Sequence, residues 1–424
     1  MNTGQVLRNR SFARLFFAGA ASVSGFSIGQ VAINYLVFTS THSSIDQALT
    51  GVAFMTAVVG LSLFGGTLAD RRDRRVLMIV SDAVRAGSLA LAAVALLFFG
   101  FNLWLVVAAS FVLGAFSAIF QPAERAVIPS ILDKEQLADA NGLTQLTTSL
   151  AQALSNALGG ALVVAVGAVL AIGLNSVTFL ASGILIATIA IRKAPAAAVD
   201  ANAPVQERPS FVSDTMEGVR YLLHSRGLLL LTISAGLLNL FFGMMSPYFV
   251  WYTSQSLHGD AITYGIFLAL FALGAAPGAL LVGRTGAIRR AGLVWLACGA
   301  CDGALVLVLV AFPIQIVAYC TIFLFGFVLG FSNTTWLSAV QVMVPNEMQG
   351  RYFGIDSLGS FAVIPLGQVI GGLAIAAFGL SWTYAAAGGG FVVVSLAFLA
   401  FPELRRLGYS SVSTARAPDA AAVA

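Results

Sequence analysis

Apolar stretches of about 20 residues recur twelve times along this 424-residue chain, and no other feature constrains its fold as tightly. That length is what an α-helix needs to cross a hydrocarbon core roughly 30 Å thick. The stretches fall at about residues 12–38, 47–69, 75–99, 103–121, 142–166, 169–191, 227–252, 261–283, 291–312, 314–338, 353–378 and 381–401. Hydrocarbon offers no partner to a peptide N–H or C=O, so each stretch must satisfy its own backbone as a helix. Composition points the same way: 58% of residues are hydrophobic and 9% charged, where a soluble domain carries roughly a quarter charged side chains. The predicted fold class is therefore all-α integral membrane, with twelve transmembrane helices.

The basic residues test that count, because cytoplasmic loops retain Lys and Arg while translocated loops lack them. Of the 22 Lys and Arg, every one but Arg85 falls on a single side under the twelve-span assignment, and the other side has none. Both termini are accordingly expected in the cytoplasm, with the chain a multi-pass protein of the inner (plasma) membrane. The net charge of +4 then reflects basic residues beside anionic headgroups rather than a nucleic-acid partner. The first apolar stretch is full length and no cleavage pattern follows it, so it is read as the first helix rather than a signal. Cys298 and Cys301 form a C-x-x-C and Cys320 stands alone, all within apolar spans; they read as packing residues, since lipid does not stabilise a thiolate. His42, His224 and His258 lie outside the spans.

Four segments organise the chain: a six-helix bundle over 1–193, a cytoplasmic linker over 194–226, a second bundle over 227–402 and a polar, Ala-rich tail over 403–424 expected to be disordered. The linker opens as an Ala/Pro-rich tether. Its end places Phe211, Met216, Val219, Leu222 and Leu223 on one helical face, which suits a short helix on the membrane surface. The bundles repeat one another: Pro129 maps to Pro345 at an offset of 216, Gly159 to Gly371 at 212, and Arg74 and Arg75 to Arg289 and Arg290 at 215. Two parallel repeats with a substrate site near the midplane are one of the transporter plans.

After the second span comes GTLADRRDRR, from Gly66 to Arg75. It resembles the signature loop of the major facilitator superfamily. Gly66, Asp70, Arg71, Arg74 and Arg75 match that loop, while Asp73 stands where the superfamily usually has Gly. The resemblance implies a latch in which Asp70 faces a helix N-terminus and the arginines pair with carboxylates, Asp356 in the eleventh span among them; a purely topological role for these charges stays open. SDAVRAGSLAL, FQPAERAVIPSILDKEQLADANGL, GLNSVTFLASGI, DTMEGVRYLL and VQVMVPNEMQGRYFG further resemble the branch holding macrolide and multidrug exporters and the enterobactin exporter. Antiporters of the superfamily commonly carry Gly-Pro in the fifth helix; Asn156 and Ala157 stand here, with Gly159 and Gly160 retained.

Ionisable groups within spans are costly and are functional suspects. Asp82 and Arg85, three apart on the third helix, can neutralise each other as a local pair or take part in proton coupling. Asp302 sits midway along the ninth span with no basic neighbour on its own helix, which makes it a candidate coupling site or a structural hydrogen-bonding group. For substrate contact the resemblance points to the first, fourth, seventh and tenth helices. In the first, Phe26, Gln30 and Asn34 share a face, a polar stripe that lipid would not tolerate. Gln121 lies in the fourth helix and Asn239, Phe242 and Met245 in the seventh. Asn333, Trp336 and Gln341 lie in or just beyond the tenth. Such amides and large apolar surfaces suit a bulky amphipathic ligand, and helix-to-helix hydrogen bonding accounts for the amides equally well.

The sequence offers no phosphate loop, no metal-ligand cluster and no nucleophile beside a base. It is read as no enzyme, without cofactor or metal. The expected partners are a small-molecule substrate, protons and membrane lipids, with the chain a monomer. The expectation is a secondary exporter of amphipathic compounds by proton-coupled antiport. A siderophore exporter, a lysophospholipid flippase and a non-transporting membrane receptor are the alternatives.

Overall fold

A computed structural model of the chain describes residues 6–132, 136–189, 211–285 and 290–408. The linker up to residue 210, the tail beyond 408 and the side chains of Asp70 and Arg71 lie outside the described residues. Within them no strand occurs, and twelve helices are long and apolar enough to cross a membrane. The helices are α1 (Arg10–Thr41), α2 (Ser44–Arg71), α3 (Arg74–Phe99), α4 (Leu103–Ile131), α5 (Leu137–Val166), α6 (Ala168–Ala187) and the short α7 (Phe211–His224). There follow α8 (Arg226–Met245), α9 (Ala261–Thr285), α10 (Ala291–Ala311), α11 (Gln315–Met343), α12 (Asn346–Asp356), α13 (Ile364–Phe378), α14 (Leu380–Phe398) and α15 (Pro402–Arg405). A π-helical turn, Ser357–Phe361, lies between α12 and α13, so the eleventh span is built in two pieces.

The fourth and tenth spans run well past their predicted ends. The fourth was expected to stop at 121, yet α4 continues to Ile131 with Pro122 and Pro129 inside it. Neighbouring helices can make good the backbone groups that a proline frees. The tenth was expected to stop at 338 and α11 runs to Met343.

Packing divides the chain into two units, Met1–Arg208 with Thr253–Ala269, and Pro209–Tyr252 with Leu270–Ala424. The division places residues 253–269, expected in the second bundle, with the first unit. In the first unit Gly159 of α5 rests on Ile28 and Val31 of α1, and a Cβ on Gly160 would strike the Ala261 carbonyl. Asn156, at the place of the missing Gly-Pro pair, donates from Nδ2 to the Leu268 carbonyl at 3.2 Å. Small residues let helix backbones approach closely in a bilayer, and the second unit uses the same device, a Cβ on Gly371 of α13 striking the Met244 backbone of α8.

The surface helix α7 forms where expected, but its apolar face is split. Leu222 is buried and Gly218 meets Arg351 and Ile355 of α12. Met216 and Leu223 are exposed, and Phe211 lies outside the described side chains. Glu217 accepts a 2.7 Å hydrogen bond from Arg351 Nη1, which fixes α7 to α12. Tyr221 on this helix has its phenol pushed above the usual range by burial.

Candidate functional site

The signature loop is built by two helix ends. α2 runs to Arg71, and α3 starts at Arg74 with Asp73 as its N-cap, the carboxylate accepting from the Arg75 backbone N–H at 2.9 Å. The acid at the position where the superfamily favours Gly therefore caps the next helix. An Asp N-cap satisfies an orphan N–H and complements the helix dipole. Arg74 Nη1 donates to the Ala126 carbonyl of α4 at 2.7 Å, and Arg75 donates to the carbonyl of Ala187, the last residue of α6. The Arg75 guanidinium thus sits at the C-terminal end of α6, where cations are favoured. A Cβ on Gly66 would meet no described atom within 4 Å. Asp73→Ala should cost about 1 kcal/mol of stability and Asp73→Gly only a few tenths, readable by thermal unfolding of the purified variants. Equal losses for Ala and Gly would remove the capping role.

Inside the first unit, Asp82 and Arg85 form the pair expected from their spacing, Nη2 to Oδ1 at 2.5 Å with both side chains buried. The Arg85 guanidinium lies 4.5 Å from the Phe120 ring centroid and 4.6 Å from that of Phe179, an aromatic sandwich that adds cation–π attraction. Asp82 Oδ2 is buried without a hydrogen-bond partner. The extension of α4 brings in an acid that the sequence reading left out of the spans, Glu124, within electrostatic reach of Arg85 and Asp82. Its signal was present: Phe120, Ala123, Val127 and Ile131 recur at helical spacing across both prolines, and all four are buried.

The stripe on α1 is half-buried at Phe26, Gln30 and Asn34. Phe26 packs on Phe54 of α2 with ring centroids 5.5 Å apart, and Asn34 Oδ1 accepts from Gln47 Nε2 at 2.7 Å. Gln121 is exposed.

The second unit joins two candidates that the sequence treated separately. Asp356 Oδ1 accepts from Thr232 Oγ1 at 2.7 Å and from Ser360 Oγ at 3.2 Å, while Asn239 Nδ2 donates to the Ser360 carbonyl at 2.9 Å. The π-helical turn that carries Ser360 therefore links α8 to the end of α12; such turns recur at functional sites. Phe242 stacks on Phe325 at 6.4 Å. Met245 is fully buried, its carbonyl accepting from Tyr384 Oη at 3.1 Å. Trp336 packs against Phe353 with centroids 5.9 Å apart, whereas Asn333 and Gln341 are exposed. Asp302 is buried on α10 with Oδ1 lacking a hydrogen-bond partner. Among the described residues no group of His, Cys, Asp and Glu could hold a metal, and the three cysteines are free thiols.

Known proteins share this plan. The transmembrane secretion effector family matches residues 3–421. The enterobactin exporter of Citrobacter koseri is 27% identical over 425 residues, covering 96% of this chain and 95% of that one. An uncharacterised major-facilitator-type transporter of Bacillus subtilis, YkuC, is 31% identical over 226 residues, 52% of this chain and 51% of that one. Among solved structures, a point mutant of the nucleoside transporter NupG superposes with a TM-score of 0.76 at 11% identity, covering 92% of this chain and 99% of that one. A bacterial homologue of the human lysosomal transporter Spinster, inward-facing and unoccupied, gives 0.69 at 12% identity, covering 94% and 97%. The likeness of fold and the full-length family match meet in one conclusion: the chain belongs to the transmembrane secretion effector family of the major facilitator superfamily and is a multi-pass membrane transporter.

Proposed function

We propose that this transporter is a secondary exporter of amphipathic small molecules, working by alternating access and driven by an inward proton gradient. The observation that carries the export reading is the match to an exporter across 96% of the chain. Coupling to protons draws on the buried, partnerless Asp302 Oδ1, because an intramembrane acid without a cation is kept for a reason. Gating is assigned to the signature loop, Asp70, Arg71, Arg74 and Arg75, and to Asp356. The protein acts as a monomer in the plasma membrane with both termini in the cytoplasm.

The experiment is extrusion of a fluorescent amphipathic dye from proteoliposomes with and without a proton gradient; extrusion unaffected by collapse of the gradient would rule out antiport. Asp302→Asn should abolish gradient-driven extrusion while leaving dye binding intact. Wild-type extrusion by that variant would strip Asp302 of the coupling role.

A siderophore cargo is the second reading, favoured by the similarity to enterobactin exporters. It requires that the gene restore secretion of a catecholate siderophore to a host lacking its own exporter. Failure there, with dye extrusion intact, leaves the broader amphipathic cargo.

A further inference from the structure

The first unit contains a small cavity of about 10 Å³, room for a single water. Its walls come from three helices: Phe16 and Gly19 of α1, Glu124 of α4, and Thr144, Thr147 and Thr148 of α5. The Glu124 carboxylate projects against α1 so closely that a Cβ on Gly19 would sit 2.5 Å from its Oε1. The carboxylate makes no hydrogen bond or ion pair with any described residue, its interactions being longer-range ones with Arg125, Arg85 and Asp82. α1 and α5 bring only apolar and hydroxyl side chains to the cavity.

Charge counting sets what this arrangement lacks. Asp82 and Arg85 cancel each other at 2.5 Å, and Arg125 is exposed. An ionised Glu124, half-buried, adds one uncompensated negative charge beside the neutral pair, and a bound proton brings the cluster to zero. Isolated charge in a low-dielectric interior is expensive. The cavity admits a water rather than a bulky ligand, and its lining offers a metal cation a single carboxylate. Three hydroxyls and the carboxylate line the cavity, enough polar partners for one water.

We infer that Glu124 is a proton-binding site in the first unit, loaded through the water-sized cavity faced by Thr144, Thr147 and Thr148. The inference rests on the proton-antiport reading and adds to it a named acid besides Asp302. On substrate binding the O–H bond at Glu124 Oε breaks and the proton passes to water in the cavity and on to bulk solution, leaving a carboxylate beside the Asp82–Arg85 pair.

Two measurements on Glu124→Gln and Glu124→Asp decide the matter: proton release on dye binding in weakly buffered detergent solution, and dye extrusion from proteoliposomes under a proton or a sodium gradient. The expected result is proton release by the wild type, its loss in Glu124→Gln with dye binding retained, and a displaced pH profile of release in Glu124→Asp. Undiminished release and extrusion in Glu124→Gln would overturn the site while leaving proton antiport standing. Wild-type extrusion indifferent to the proton gradient would instead sink the antiport reading, and proton release would still judge Glu124 by itself. Extrusion driven by sodium and lost in Glu124→Gln would overturn the proton assignment. Should Glu124→Gln not fold, an unchanged pH profile in Glu124→Asp overturns the proposal.

Discussion

Arg85→Leu should cost the fold about 3–5 kcal/mol, enough to deplete folded protein, because it leaves the Asp82 carboxylate buried without its cation. The magnitude follows from the surroundings. Asp82 is 0% exposed and its Oδ2 already lacks a partner, so removal of the guanidinium at 2.5 Å strips the carboxylate of the contact that offsets its desolvation. Asp82→Leu should cost a similar amount by stranding a cation between Phe120 and Phe179. The double substitution removes both charges, and Leu side chains fill apolar space; it should be less damaging than the sum of the singles by about 0.5–3 kcal/mol, the coupling of residues in one network. Thermal unfolding of the three purified variants in detergent measures the cycle. Additive losses would mean that each charge has its own partner elsewhere and that the pair is incidental. The same cycle is informative about Glu124, since Glu124→Gln should soften the penalty of Arg85→Leu by removing a second acid from the field of Arg85.

The span count and the Asp82–Arg85 pair were legible because both depend on local rules: helix length against bilayer thickness and a three-residue spacing on one face. What the sequence hid was tertiary. The fourth span was read as ending at 121, which left Glu124 outside it, whereas α4 stays helical through Pro122 and Pro129. Asp73 read as a departure from the signature loop, and its use as an N-cap became visible once the start of α3 was fixed at Arg74. Asn239 and Asp356 were both singled out as polar residues in spans, but their link through Ser360 depends on a π-helical turn, and no residue pattern announces one. The split face of α7 has the same origin: five apolar positions fit one stripe, yet α12 covers the side with Gly218 and Leu222 and leaves Met216 and Leu223 outside.

Gly326→Val should destabilise the second unit without touching any charge, by about 1–3 kcal/mol or more. G-x-x-x-G runs lie at Gly274 to Gly278 on α9 and at Gly326 to Gly330 on α11, and the structure sets these two against each other. A Cβ on Gly274 would strike the Phe323 carbonyl, one on Gly278 the Phe327 carbonyl, one on Gly326 the Phe271 carbonyl and one on Gly330 the Ala275 carbonyl. Each obstacle is backbone, so no side-chain rotation can absorb the added atoms and the two helices must separate. Separation forfeits dispersion contacts along the whole seam, which in lipid are a main source of helix association. Gly389→Ala on α14 is the matched control, since a Cβ there meets nothing within 4 Å; it should be neutral or stabilising by up to about 1 kcal/mol through helix propensity. The comparison is a detergent melting curve for each variant. Gly326→Val with an unshifted midpoint would mean that α9 and α11 do not depend on backbone contact, and the glycine seam would lose its structural role.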